Sequence, residues 1–205
     1  MRIQPASRRL GILLSGRGSN FEAIADRIAS GNLNAEIAVV ISNVESAPGL
    51  ERARARGLNA VFVSSRQKSR QRFELELVEI LKKHDVALVV LAGFMRILSH
   101  SFLDAFPYGI LNIHPALLPS FPGVDVQRKA LEYGVKISGC TVHFVDEALD
   151  GGPIILQAPV PVADDDTAET LSARILKEEH RIYSEAIDFV LSGRCEIQGR
   201  RVVRR

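Results

Sequence analysis

The chain is poor in the residues that would announce a special class. Its 205 residues include only two cysteines, Cys140 and Cys195, far apart in the sequence. They make neither a zinc spacing nor a disulfide framework, so a reducing compartment, and with it a cytoplasmic protein, is the expectation. There is no tryptophan, and no stretch approaches the roughly 20 apolar residues of a membrane helix. The opening "MRIQPASRRL" lacks the apolar segment of a secretory leader. Charge of one sign is lacking too: 26 Lys and Arg against 24 Asp and Glu leave a formal +2, too little to argue for nucleic acid. Part of that excess is terminal, in Arg8–Arg9 and in "RRVVRR" at 200–205, where solvated arginines are expected.

What the chain does have is alternation. Short runs rich in Val and Ile read as buried strands at 10–14, 36–42, 60–64, 86–92 and 110–113. Helical patterns lie between them; in "RFELELVEILKKH", Phe73, Leu77, Ile80 and Leu81 share one face. Near-continuous apolar strands separated by helices imply a mostly parallel, Rossmann-like α/β sheet covered on both faces. After Gly123 the pattern changes to two long consecutive strands, 136–146 and 153–162, joined by "EALDGG", and then a helix over about 167–191. The expectation is one domain: a nucleotide-phosphate half over about 8–110, extended by a smaller mixed catalytic half over about 111–205.

Ligands in open α/β sheets bind at the carboxyl ends of strands, so the loops there matter most. "SGRGSN", Ser15–Asn20, precedes a helix expected near Phe21. Its two glycines let backbone amides approach an anion, and Ser19 or Asn20 can cap the helix. A dinucleotide fingerprint fails here: the third glycine falls at Phe21, and the strand over 36–42 ends in Ser42-Asn43 with no acid for a ribose diol. A monophosphate site or a plain capped turn are the two readings left. The loop "AGFMRIL", 92–98, offers either ligand surface or a cover for the core.

The segment "LNIHPALLPSFPG" puts Asn112 and His114 two apart at the end of a strand, which sends both side chains to one side. Asp150 stands in a tight turn followed by two glycines and a proline, where an acid often only caps the turn. Together the three suit acyl transfer: an amide donor for an oxyanion, an imidazolium, and a carboxylate to orient it. No nucleophilic Ser or Cys accompanies them, so the substrate must bring the nucleophile. On the last helix, Leu171, Ile175, Leu176, Ile182, Tyr183, Ala186 and Val190 form an apolar face, with Glu179 near its middle. An acid there either pairs with an arginine inside the fold or emerges into a binding site.

"SGRGSN", "LAGFMRIL", "NIHPALLPSFPG" and "HFVDEALDGGPIILQ", in this order, resemble the phosphoribosylglycinamide formyltransferases, folate-dependent enzymes of purine synthesis. The resemblance runs from about Leu10 to Leu191. It implies that the chain moves a formyl group from 10-formyltetrahydrofolate to the amine of glycinamide ribonucleotide, without a metal. By the same resemblance Gly18, Ser19, Asn20 and Glu179 hold the ribonucleotide. Arg70, Met95, Arg96, Ile97, Leu98, Asn112, Asp146, Glu147 and Asp150 hold the folate, and Asn112, His114 and Asp150 are catalytic. Monomer and homodimer both remain open, and no nucleic acid or membrane partner is implied. Ser120 stands where a lysine is common, and "GVDVQ" (123–127) lacks the histidines of some relatives. The RNA-binding domain of methionyl-tRNA formyltransferases and the N-terminal regulatory domain of formyltetrahydrofolate hydrolases are not expected here. A non-catalytic nucleotide-binding module is the alternative from another class.

Overall fold

A computed structural model describes residues 1–205. The elements are β1 (Arg9–Leu14), α1 (Ser19–Ala29), β2 (Glu36–Ser42), α2 (Pro48–Ala55), β3 (Ala60–Phe62), α3 (Arg70–Lys83), β4 (Leu88–Leu91), α4 (His100–Ala105), β5 (Ile110–His114), α5 (Val126–Tyr133), β6 (Ile137–Phe144), β7 (Ile154–Pro161), α6 (Ala168–Leu191), β8 (Cys195–Gln198) and β9 (Arg201–Arg204). One nine-stranded sheet holds them, in the order β3-β2-β1-β4-β5-β6-β7-β9-β8. Pairing is parallel from β3 to β5, then antiparallel at β5–β6 and β6–β7. This is the mixed extension of a parallel sheet that the pattern change after Gly123 implies.

The apolar strands are continuous because the sheet is buried on both faces. In β4, Leu88 and Val90 join a cluster with Phe21 and Ile24 of α1 and Ile175 and Ile182 of α6. Val89 and Leu91 join another with Phe73, Leu77 and Leu81 of α3 and Phe102 of α4. Period-two alternation therefore supplies two cores from one strand. Strand order reverses between β1 and β4, whose carboxyl ends open the crevice where such sheets bind ligands. No helix is long and apolar enough to cross a membrane.

The C-terminal arginines are exposed as expected, but "RRVVRR" is not a loose tail: β9 pairs along β8 and joins β7 at Ile154. Arg9 opens β1, with its guanidinium on Glu36 and on the carbonyl of His84. The apolar residues after Arg9 are buried and Val202 and Val203 are half-buried, while the arginines keep their heads on the rim.

Candidate active site

At the carboxyl end of β1, helix α1 begins earlier than expected, at Ser19. Gly18 occupies the N-cap position with φ 73°, and no side chain caps the helix. Neither Ser19 nor Asn20 closes the turn, so the first-turn amides and the helix dipole point outward together. Only glycine suits Gly18: a Cβ would lie 3.0 Å from the Cα of Gly49 in a left-handed conformation. Ser15 fastens this loop to its neighbours. It donates to Asn43 Oδ1 at 2.6 Å and accepts from the Met95 amide at 2.9 Å. A cleft runs from Ser15–Asn20 across to Ala92, Gly93 and Met95.

Helix α6 brings an acid up behind Asn20, at the edge of this cleft. Tyr183 anchors the helix by donating its buried hydroxyl to the carbonyls of Leu91 and Leu111, at 2.9 and 3.0 Å. One turn earlier, Glu179 is only 8% exposed and accepts from Asn20 Nδ2 at 2.8 Å. No arginine pairs with it, so the structural alternative is corrected. Burial pushes its carboxyl above the usual range, and the Asn20 hydrogen bond only partly offsets that. Asn20 Oδ1 is itself buried without a partner. Two polar groups that satisfy one another only halfway, beside a helix N-terminus, suit a ligand bearing hydroxyls and an anion.

The second cluster forms where β5 meets β6. Cross-strand register sets Asn112 opposite His143 and His114 opposite Thr141. Asn112 Nδ2 lies 3.2 Å from His143 Nε2, while His143 Nδ1 faces the carbonyl of Phe144 at 2.8 Å. A nitrogen facing a carbonyl must carry the proton, so Nε2 accepts from the Asn112 amide and leaves its second N–H for another acceptor. Burial holds the His143 ring below the usual histidine range, in keeping with this neutral form. Sequence reasoning missed His143, which sits inside a buried strand with nothing local to mark it.

His114 is 4% exposed; its Nε2 faces the carbonyl of Phe121 at 2.8 Å and its Nδ1 faces Asp150 Oδ2 at 3.4 Å. The ring thus lies between a backbone carbonyl on one side and a carboxylate on the other. Asp150 Oδ1 is 3.8 Å from His143 Nε2, and Oδ2 accepts from the Gly123 amide at 2.8 Å. That last bond gives a role to the "GVDVQ" loop: backbone, not a side chain, steadies the carboxylate. Asp150 has φ 52°, unusual for a residue with a side chain. The proline-rich exit from β5 is pinned by Thr141, which donates to the Ala116 carbonyl and accepts from the Leu118 amide.

Loops on either side flank this polar set. After β4, the side chains of Met95 and Ile97 are 72% and 67% exposed; before β7, Leu149 is 60% exposed. Leu98 is instead packed into the α3-side core. Arg70 donates to the Ile97 carbonyl at 2.9 Å and pairs with buried Glu74, which also accepts from the Ser99 amide at 3.0 Å. Glu74 was not singled out from sequence, yet it and Arg70 tie α3 to Ser99 and Ile97. Arg96 lies over the Phe73 ring at 5.0 Å, turned toward α3. Asp146 accepts from the Ala148 amide at 3.0 Å, and Glu147 pairs with His100 at 2.7 Å. No cluster of three or more His, Cys, Asp or Glu side chains has the geometry of a metal site.

An anion-receptive turn and an Asn-His-Asp set on one sheet edge are the marks of a group-transfer enzyme. The chain belongs to the formyl transferase family, whose domain matches residues 8–187. Among its relatives is phosphoribosylglycinamide formyltransferase of Escherichia coli (strain K12), 42% identical over 91% of this chain and 88% of that one. Glycinamide ribonucleotide transformylase 1 from Symbiobacterium toebii superposes with a TM-score of 0.94 at 52% identity, covering 97% of this chain and 94% of that one. The trifunctional purine biosynthetic protein adenosine-3 of Drosophila melanogaster is 43% identical over 91% of this chain; the match spans 14% of that longer protein.

Proposed function

We propose that this chain transfers the formyl group of 10-formyltetrahydrofolate to the amine of glycinamide ribonucleotide, as a step of purine synthesis. The observation that carries the reading is the Asn112–His143–Asp150–His114 cluster at β5–β6, with only β4 between it and the uncapped helix N-terminus that follows β1. The amide groups of Gly18, Ser19 and Asn20 take the substrate phosphate, and Glu179 accepts hydrogen bonds from its ribose hydroxyls. Exposed Met95 and Ile97 on one loop and Leu149 on the other suit a flat, largely apolar folate, which would cover them. Arg70, Arg96, Leu98, Asp146 and Glu147 shape the two loops that hold it. The division into a phosphate half and a catalytic half is one of emphasis, since Glu179 reaches from the second into the first.

The folate supplies the activated formyl group. The substrate amine attacks the formyl carbon, and the negative charge that develops on its oxygen needs donors already in place. Asn112 offers the amide N–H that His143 leaves unused, and His114 offers its Nε2–H by exchanging the Phe121 carbonyl for the developing oxyanion. Asp150 holds the imidazolium in position and helps pass a proton toward the departing folate nitrogen.

The test is to mix the protein with 10-formyl folate, with and without glycinamide ribonucleotide, and to follow deformylated folate by absorbance. Release only in the presence of the amine is expected. Release without it would make the chain a hydrolase, and no release would make it a binding module.

A further inference from the structure

The C-terminal hairpin plays no part in the reaction described above, yet it touches the loop that carries Asp150. β8 and β9 lie beyond residue 187, where the formyl transferase match ends. In the turn between them, Arg200 donates from Nη2 to the carbonyl of Gly151 at 2.6 Å. Its neighbour Arg201 pairs with Ile154, so β9 joins the sheet at the first residue of β7, immediately after that loop.

The hairpin is fastened well enough to act as a strut. Cys195 and Ile197 are buried, and the amides of Ile3 and Ile197 each close a 2.8 Å bond between β8 and the N-terminal segment. Arg204 lies over the Phe189 ring of α6 at 5.0 Å. The loop, in turn, has a conformation that needs holding. Asp150 is in the left-handed region. Gly152 presses so closely on β6 that a Cβ there would lie 1.8 Å from the Phe144 carbonyl oxygen. Packing against β6 thus fixes one side of the Asp150–Gly152 turn, and Arg200 fixes the carbonyl on the other.

We propose that Arg200 is a positioning residue. Through the Gly151 carbonyl it keeps the turn in the conformation that presents the Asp150 carboxylate to His114, without touching substrate. The hairpin outside the matched domain is thereby part of the catalytic apparatus. This inference rests on the role proposed for Asp150 above.

Arg200→Met keeps the stem and removes the donors, while Arg200→Lys keeps one. The side chain is exposed, so the melting temperature should move by no more than about 2 °C. Arg200→Met is expected to lower kcat about three- to tenfold, the scale of one hydrogen bond, with the KM of both substrates unchanged and Arg200→Lys closer to wild type. In an Asp150→Asn background the same change should cost less than about twofold, because the group it positions is already lost. Unchanged kcat in Arg200→Met would overturn the proposal. So would a raised folate KM at constant kcat, which marks a direct ligand contact, or an additive loss in the Asp150→Asn background. His114→Ala in the same series separates the two levels: wild-type turnover there removes the catalytic site itself, whereas a decades-deep loss leaves Arg200 to be judged on its own numbers.

Discussion

The parallel and antiparallel halves of the sheet build their sites from different material. At the end of β1 the site is backbone: a left-handed Gly18, uncapped first-turn amides and a helix dipole, all within six consecutive residues. At β5–β6 the site is side chains, and its four members are spread from Asn112 to Asp150. A parallel strand hands the chain straight to a helix, so one loop presents its uncapped amides together. An antiparallel pair sets residues face to face, so register assembles a constellation that no single loop contains. The first kind of site should fail when a Cβ is added, and the second when a side chain is removed.

The largest expected effects break the side-chain site alone. His114→Ala and Asp150→Asn should lower kcat by about two to four decades, and Asn112→Ala by about two to three, with smaller changes in KM. Steady-state kinetics checks this, and wild-type-like turnover in His114→Ala would end the assignment.

Glu179→Gln probes the place where the two halves meet. Ribonucleotide binding should weaken by about 1.5–3 kcal/mol, the range for hydrogen bonds to a charged group. Stability should move the other way. Burial raises the carboxyl's folded pKa, so the stability it allows is full at low pH and is lost as pH rises through that raised value. The variant escapes that loss: its melting temperature should exceed wild type at pH 8, and the gain should vanish below about pH 4, where both side chains are neutral. Full affinity with a large drop in melting temperature would make Glu179 a structural group.

Within the β5–β6 cluster His143→Ala should have the smallest effect, about a tenfold loss of kcat, since it removes the partner that orients the Asn112 amide and not the amide itself. If it matches Asn112→Ala, His143 contacts the reacting atoms and the ranking between these residues is wrong.

Legibility in the sequence follows the same division. The buried strands of the parallel half stand out as Val/Ile runs; the one over 36–42 coincides with β2. Glu179 was visible because one acid on an apolar helix face is costly. The start of α1 was misread because side-chain caps are the usual signal and Gly18 caps by conformation alone. His143 was hidden because an antiparallel partner is known only once register is known. The C-terminal hairpin escaped because R-V-V-R has neither a two-residue nor a helical period, and its burial comes from distant partners such as Ile3 and Phe189.

The proposed function puts ribonucleotide phosphate binding at the end of β1 and formyl chemistry at β5–β6. Its most direct test is calorimetric titration of glycinamide ribonucleotide and of folate into Gly18→Val and Asp150→Asn, each paired with turnover at saturation. Gly18→Val should lose about tenfold or more in ribonucleotide affinity, from about 1–3 kcal/mol of backbone strain, while folate affinity and saturated turnover stay near wild type. Asp150→Asn should bind the ribonucleotide as wild type does and turn over slower by decades. Folate affinity lost in Gly18→Val with ribonucleotide affinity kept would contradict the claim, because the two sites would then be exchanged.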